Sequence, residues 1–272
     1  MSERDGYQAG VPCWVASAHP EPEKALAFYT ELFGWEAEEA MGVDSPVEYY
    51  LCRLRGRDVA AVGSRRGGPP VGVWETYIWV ESAEDTVARV IDAGGSVILK
   101  PFDLLDAARV AVVADPAGAV FGVWQPGEHR GAQLVNEPGA WAISQLGTRD
   151  PGGSRAFYDA VFGWETDTFD MGQGEITLWR VPGYVGGEPE QPVSREVVGV
   201  MVPASGEGSP EEAPARWNVD FWVGDVDEAA DEATRLGGEV VVSPFYTSVG
   251  RSAVLADPQG AVFTVSRAGP VS

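Results

Sequence analysis

The chain of 272 residues has few of the residues that proteins use to bind nucleic acid or to cross a membrane. It contains two lysines, Lys24 and Lys100, among 19 basic residues, against 41 acidic ones, and the net charge is -22. A chain this acidic repels nucleic acid and anionic membranes. No run of about 18 apolar residues suggests a membrane span. The first residues lack the charged-then-apolar pattern of a signal peptide, which favours a cytoplasmic location.

Cysteine and histidine are also scarce, with two residues of each. Cys13 and Cys52 lie in apolar, strand-like stretches, and we expect core residues rather than a disulfide or a thiolate metal site. His19 falls at a strand-to-helix turn and His129 in a connecting stretch, so both are expected at the surface or as caps. No phosphate-binding loop, dinucleotide glycine pattern or nucleophile triad is recognisable.

Two sequence motifs, which we call the repeated phrases, each occur twice in the chain. FYTELFGWE (28–36) returns as FYDAVFGWE (157–165), and DPAGAVFGVW (115–124) returns as DPQGAVFTVS (257–266). Repetition in the same order indicates a duplicated domain. The spacing is larger for the second phrase, so the second copy contains an insertion. We place this insertion in the Gly-, Pro- and Glu-rich stretch 182–216. The stretch is expected to be either a solvated loop or a lid.

Each copy has the periodicity of two βαβββ units. Apolar residues at three- and four-residue spacings predict a helix over 21–33, and Gly34 follows where a helix C-terminal glycine belongs. Short strand-like runs come next. The pattern then restarts with a strand at 74–80 and a helix over 83–93.

Four such modules, with FY…FGW after the first helix and DPxGAVF before the last strand, resemble the vicinal oxygen chelate superfamily. This superfamily includes glyoxalases, bleomycin resistance proteins and extradiol dioxygenases, and the likeness is to its tandem-domain branch, often labelled glyoxalase-like or hydroxylase. The resemblance covers about residues 11–267. It implies an α+β fold with two tandem domains, 8–126 and 140–268, joined by a connector at 127–139. Each domain is expected to be a pair of modules whose mixed sheets curl around a cleft.

Metal-using members of that superfamily place His, Gln or Glu on the first and last strands of their modules, because a divalent metal needs several converging lone pairs. The matching positions here hold Trp14, Glu75 and Gly122 in the first domain, and Ile143, Asn218 and Thr264 in the second. One carboxylate among six positions is too few for chelation. We therefore expect no metal and no cofactor.

Strand alternation predicts which side chains face the two clefts. The first cleft is expected to be aromatic with one carboxylate, and the second more polar. The expected ligand-facing residues are Trp14, Tyr77, Trp79 and Trp124 in the first, and Gln145, Asn218, Trp222 and Thr264 in the second. Arg109 and Arg251, each opening a penultimate strand, are expected at the cleft rims. An alternative for the first cleft is that its aromatic residues fill a closed core.

Glu75 and Asp220 are the carboxylates expected to face the clefts and are the candidates for a general base. The favoured function is metal-free binding of an aromatic or cationic metabolite or antibiotic, through stacking and cation–π attraction. The resemblance to bleomycin resistance proteins also implies that the protein binds such a small molecule. The alternative is a hydroxylase- or lyase-like enzyme of secondary metabolism that uses one of these carboxylates or an atypical metal site. Besides a small molecule no partner is expected, and the chain is expected to be a monomer or a homodimer.

Overall fold

The computed structural model describes residues 2–41, 45, 47–64, 71–170, 175–186, 196–203, 215–247 and 250–269. More than half of the insertion predicted at 182–216 therefore lies outside the described residues. Within the described part, no helix is long and apolar enough to cross a membrane.

Each half of the chain folds as two βαβββ modules. The first half consists of β2 (Pro12–His19), α1 (Pro22–Phe33), β3 (Glu36–Glu39), β4 (Tyr49–Leu54) and β5 (Arg57–Ser64), followed by β6 (Val73–Trp79), α2 (Ala83–Asp92), β7 (Ser96–Leu104), β8 (Ala108–Ala114) and β9 (Val120–Pro126). The second half consists of β11 (Trp141–Thr148), α3 (Pro151–Phe162), β12 (Glu165–Asp170), β13 (Glu175–Arg180) and β14 (Val197–Pro203), followed by β15 (Arg216–Trp222), α4 (Val226–Arg235), β16 (Glu239–Thr247), β17 (Gly250–Ala256) and β18 (Val262–Ala268). A short β1 (Ser2–Glu3) pairs with β10 (Leu134–Val135) in the connector.

The strands form two eight-stranded mixed sheets with the same topology. Their orders are β3-β4-β5-β2-β6-β9-β8-β7 and β12-β13-β14-β11-β15-β18-β17-β16. In the first sheet, β2 and β6 pair antiparallel at the centre, whereas β6 and β9 pair parallel. The second sheet repeats these pairings with β11, β15 and β18. This architecture confirms the α+β class with two tandem domains.

The repeated glycine of the FGW phrase ends a helix in each half. Gly34 follows α1 with φ 70°, and Gly163 follows α3 with φ 69°. Both lie in the left-handed region that glycine adopts at low cost. Side-chain caps begin three of the four helices, since Ser82, Asp150 and Asp225 each accept a hydrogen bond from a backbone N–H of the first turn.

The two repeated phrases contact each other across the domain boundary, because the FY…FGW helix of each half lies against the DPxG turn of the other half. Tyr29 of α1 donates its hydroxyl proton to Asp257 of the second DPxG turn (3.0 Å), and Trp74 Nε1 donates to the same hydroxyl oxygen (2.9 Å). We call this cluster the first joint. The second joint repeats it with the halves exchanged: it consists of Tyr158, Asp115 and Trp217, with distances of 3.3 Å and 2.8 Å. The phrases are therefore structural, and each half completes the core of the other.

Phenylalanine rings of the same phrases extend both joints. Phe33 of α1 packs against Phe221 and Phe263 of the second domain, at centroid distances of 4.8 Å and 6.0 Å. Phe157 of α3 packs against Phe121 of the first domain at 6.2 Å. Nine of the ten tryptophans are buried in these and neighbouring contacts. Interior packing thus accounts for most of the tryptophan content.

The expectation that both histidines lie at the surface or as caps is wrong. His19 is fully buried at the first joint, with Nδ1 3.4 Å from Oδ2 of Asp257. Burial lowers its pKa, and the nearby Asp257 carboxylate partly opposes this shift. His129 packs between Trp14 and Trp124, with centroids 4.5 Å and 5.4 Å away. Both histidines are packing residues, because the stretches that carry them are covered by the other parts of the chain.

Candidate functional site

The first cleft is filled by its own side chains. Trp14 is fully buried and its Nε1 donates to Tyr49 Oη (3.1 Å). Trp124 is 2% exposed and lies 6.2 Å from Trp14 and 5.8 Å from Tyr77 between ring centroids. His129 of the connector covers both tryptophans. The aromatic ligand box expected here is thus corrected to a closed core, because these aromatic rings pack against each other.

The other first-cleft candidates are also occupied within the protein. Trp79 lies 6.1 Å from the ring of Tyr7, and the guanidinium of Arg130 stands 5.6 Å above it. Tyr77 donates its hydroxyl proton to Glu75 (2.8 Å). Glu75 lines neither the recess of the first cleft nor the cavity of the second, both described below. What stays open of this cleft is a recess of about 400 Å³ at its mouth, and Trp124 and Tyr49 contribute to its wall.

The second cleft is open because smaller residues stand at the positions of the first-cleft aromatics. Strand register makes Trp14 equivalent to Ile143, Tyr77 to Asp220 and Trp124 to Ser266, and the same comparison places Ile176 at the position of Tyr49. An aliphatic or small polar side chain thus replaces each of these four rings, whereas Trp79 has an aromatic counterpart in Trp222. The result is a cavity of about 750 Å³.

The walls of this cavity are mainly apolar. They come from β11, β13 and β14, with Ile143, Ile176, Leu178, Val198 and Val200 among the lining residues. Aromatic side chains, among them Trp141, Phe169, Trp222 and Phe245, line the cavity as well. The N-terminal segment of the first domain also contributes, through Arg4, Tyr7, Val11 and Pro12. The cavity therefore has the size and the lining of a small-molecule pocket, for which 300–1,000 Å³ is usual.

Asp220 is the buried carboxyl group of this cavity, which Asp167 also lines. It is 3% exposed, and it accepts hydrogen bonds from Ser266 Oγ at Oδ1 (2.7 Å) and from Gln145 Nε2 at Oδ2 (3.1 Å). Burial raises the pKa of Asp220 to about 7, although both hydrogen bonds lower it. A carboxyl group with this pKa exists in both protonation states near neutral pH, and so it is able to donate or to accept a proton.

Other second-cleft candidates fall into two groups. Gln145, Trp222 and Thr264 line the cavity together with Asp220, and Thr264 is its cross-strand neighbour on β18. Asn218 is half-buried and does not line the cavity. Sequence reasoning missed Ser266, although the repeated phrase contains the signal. Where DPAGAVFGVW ends in Trp124, DPQGAVFTVS ends in serine.

The two rim arginines are directed to the helices rather than to the clefts. Arg109 binds Glu84 of α2 and Asp103. Arg251 binds Asp227 of α4 through two hydrogen bonds of 2.7 Å, and its guanidinium also stacks on Tyr246. Arg251 still borders the cavity, but its charge is neutralised. The expected place at the cleft rim thus holds for Arg251, although Asp227 at the first turn of α4 binds its guanidinium, and it is corrected for Arg109, which Glu84 at the first turn of α2 binds and which does not line the recess of the first cleft.

The donor set of the second cleft does not fit the metal site of the superfamily. Among the described residues, no group of three or more His, Cys, Asp and Glu side chains converges as metal ligands would. Asp220 contributes one carboxylate, and its neighbours Gln145, Ser266 and Thr264 offer neutral oxygen or nitrogen atoms. Divalent metals in this type of site require several charged or imidazole ligands.

Comparison with known proteins gives the family. The model of the glyoxalase-like domain matches residues 14–124 and 130–266. The chain belongs to the glyoxalase-like family. This assignment agrees with the vicinal oxygen chelate resemblance, and the two matches correspond to the two sheets.

Relatives of known sequence match this chain over nearly the whole length of both proteins. The glyoxalase-like chain is 37% identical over 281 residues to a Mycobacterium tuberculosis protein named "Putative glyoxylase CFP32", with 99% of each chain covered. It is 33% identical over 278 residues to the anthracycline biosynthesis protein DnrV of Streptomyces peucetius, covering 95% of this chain and 94% of the relative.

Solved structures share the fold at low identity. The Mn(II)-bound glyoxalase from Novosphingobium aromaticivorans has a TM-score of 0.61 at 16% identity, covering 95% of this chain and 82% of that one. The 2,3-dioxygenase LapB from Pseudomonas sp. KL28 has a TM-score of 0.62 at 14% identity, covering 97% and 94%. At these identities the likeness concerns the fold alone.

Proposed function

We propose that this protein binds one mainly apolar, ring-containing small molecule in the second cleft, without a metal, and places a polar group of that molecule against Asp220. The observation that carries the proposal is the difference between the clefts. The same fold closes one with aromatic side chains and leaves about 750 Å³ open in the other. Apolar walls with a few convergent polar groups are typical of sites for small organic ligands.

The relatives support a ligand from secondary metabolism. Two of them are named anthracycline biosynthesis proteins, from Streptomyces sp. strain C5 and Streptomyces peucetius. Anthracyclines contain fused, flat rings with carbonyl and hydroxyl groups. A molecule of this shape suits walls made of valine, isoleucine and leucine with Trp222 at one side. We therefore choose a dihydroxyanthraquinone as the first probe.

The test is binding of the dihydroxyanthraquinone by titration calorimetry and by quenching of tryptophan fluorescence. Ile143→Trp restores the residue that closes the first cleft, and we expect it to weaken binding at least about tenfold because the ring occupies the pocket. The matched control is Ile98→Trp, the same change at an exposed position on β7 of the first domain. Equal affinity of both variants and the wild type would exclude the second cleft as the binding site.

Asp220 favours a second candidate function, enzymatic proton transfer. A general base works best with a pKa near the working pH, and the pKa of Asp220 is about 7. A lyase or isomerase requires proton removal beside a carbonyl group, which a carboxylate supplies. A hydroxylase would need an oxidant in addition. The pocket thus favours the lyase-like form of the enzymatic alternative.

Hydrogen exchange tests this second candidate. The ketone 2-tetralone carries acidic C–H bonds beside its carbonyl, and NMR in D₂O follows their exchange. We expect the wild type to accelerate exchange and Asp220→Asn to abolish the acceleration while the variant still binds the probe. Glu75→Gln is the comparison in the filled cleft and should behave as the wild type. Exchange that persists in Asp220→Asn rejects Asp220 as the base.

A further inference from the structure

The hydrogen bonds of Asp220 are of two chemical kinds. Gln145 approaches Oδ2 with an amide nitrogen, which is only a donor, whereas Ser266 approaches Oδ1 with a hydroxyl, which is both a donor and an acceptor. When Asp220 is ionised, both neighbours donate to it. When it takes up a proton, the side facing Gln145 is already occupied by an N–H, so the new O–H lies at Oδ1 and points to Ser266.

Protonation therefore turns the Ser266 hydroxyl around. If Asp220 donates to Ser266 Oγ, the serine O–H has to find another acceptor. Ser266 is half-buried on β18 and lines the cavity, so its hydrogen is free to turn into the pocket. The protonated pocket thus offers a hydrogen-bond donor that the ionised pocket lacks. A donor in an apolar pocket is complementary to a carbonyl oxygen and is costly to leave unpaired.

We propose that the ligand of the second cleft presents a carbonyl oxygen to Ser266, and that Ser266 changes from donating to Asp220 to donating to the ligand when Asp220 binds a proton. The proposal rests on the proposed function and narrows it to carbonyl compounds such as polycyclic ketones or quinones. Ser266 acts here as a positioning residue and as a selector for the class of ligand.

Other ionisable groups around the pocket do not replace Asp220. Arg4, Asp167, Arg251 and Arg267 also border it, but Asp167 is held by Arg180 and Arg251 by Asp227. Two tyrosines, Tyr7 and Tyr184, have pKa values raised by burial and stay neutral. Burial raises the pKa of Asp220 to about 7 even though its two hydrogen bonds lower it, so its protonation is the event that a ligand would sense near neutral pH.

The experiment compares 9-fluorenone with fluorene, two tricyclic probes of nearly the same shape that differ by one carbonyl oxygen. At about pH 6 we expect the wild type to bind fluorenone about fivefold more tightly or better. This preference should shrink at about pH 8. Calorimetry in two buffers of different ionisation enthalpy should show proton uptake with fluorenone at about pH 7.5 and none with fluorene.

Ser266→Ala should remove both the preference for fluorenone and the proton uptake, while fluorene binding stays within about twofold. The matched control is Ser252→Ala, which changes the cross-strand neighbour of Ser266 in the same cavity and should keep both effects. Ser266→Thr retains a hydroxyl and should restore them if Ser266→Ala folds poorly.

The outcomes separate the two proposals. If neither probe binds, the proposed function fails, and this inference fails with it. If both probes bind equally at every pH, only the carbonyl selection is overturned. A preference lost in Gln145→Leu but kept in Ser266→Ala would place the proton on the Gln145 side and overturn the role of Ser266. Tighter binding of fluorenone at high pH, with proton release, would mean that the pocket binds it with Asp220 ionised, and would overturn the proposal.

Discussion

The hydroxyl of Tyr29 lies 3.0 Å from a carboxylate oxygen of Asp257, although 228 residues separate them along the chain. Asp257 also accepts hydrogen bonds from the backbone N–H groups of Gln259 and Ala261, which fix its own turn. The contact therefore ties the first helix of one domain to the last hairpin of the other. It is buried, so the loss of either partner leaves polar groups unpaired.

Tyr29→Phe should lower the free energy of unfolding by about 1–2 kcal/mol, because Trp74 loses its buried acceptor and Asp257 loses one donor. Urea denaturation followed by circular dichroism measures this change. Tyr158→Phe in the second joint should have an effect of the same size. An effect confined to one of the two variants would contradict the equivalence of the joints.

The stability of the protein should depend on Asp220 in a defined pH window. Its folded-state pKa of about 7 lies above the ordinary value near 4, so between these values the folded state binds more protons than the unfolded state. Unfolding free energy should therefore fall as pH rises from about 4 to about 7, by up to about 4 kcal/mol. Denaturation of the wild type and Asp220→Asn across this range should show a steeper fall in the wild type, and the difference between the two curves is the contribution of Asp220, since Asp115 and His19 titrate in both proteins.

Trp14 and Ile143 occupy equivalent positions in the two clefts, and replacing each by the other should lower the free energy of unfolding by different amounts. Trp14→Ile opens a hole in a packed core and leaves Tyr49 without its donor, so we expect a loss of about 3–5 kcal/mol. Ile143→Trp places a ring into space that is already open and should cost less than about 2 kcal/mol. Thermal and urea unfolding of both variants measure the difference, and equal costs would mean that the second cleft is as tightly packed as the first.

Metal analysis by mass spectrometry, on protein purified without chelator or affinity tag, should find no stoichiometric Fe, Zn, Ni or Mn. The reason is the donor set, with a single carboxylate among Gln145, Ser266 and Thr264. Binding of the anthraquinone probe should also be unchanged by EDTA. About one metal ion per chain would contradict the proposal and direct the search to other donors.

Arg251→Gln should change affinity for the anthraquinone probe by less than about twofold, since the guanidinium is bound to Asp227 and its exposed ion pair contributes little. Arg109→Gln, at the equivalent position in the first domain, is the control. A large loss of affinity in Arg251→Gln alone would return this arginine to the binding site.

The sequence predicted the fold well because the fold depends on local patterns that occur twice. Spacing of apolar residues places α1 and α3, and the terminal glycines Gly34 and Gly163 end them. Strand alternation also placed Asp220 and Trp222 on the cavity side of β15. These features follow from the helical and strand periods and need no knowledge of the other domain.

The site was harder to predict because it depends on volume. Alternation shows that Trp14, Tyr77 and Trp124 face inward, but it does not show whether the inward space is occupied. Alternation also does not predict where the end of a long side chain lies. Arg109 and Arg251 bind carboxylates on helices that lie behind the sheets. A comparison of the two repeats position by position would have shown the replacement of Trp124 by Ser266.

The reciprocal joints have a consequence for the symmetry of the chain. Each Tyr–Asp contact joins one half to the other, and the two contacts are related as the two copies of a contact in a symmetric dimer are. One polypeptide thus has the internal two-fold arrangement of a homodimer. Because its two halves differ in sequence, as the subunits of a homodimer cannot, one cleft is filled by aromatic side chains while the other is open.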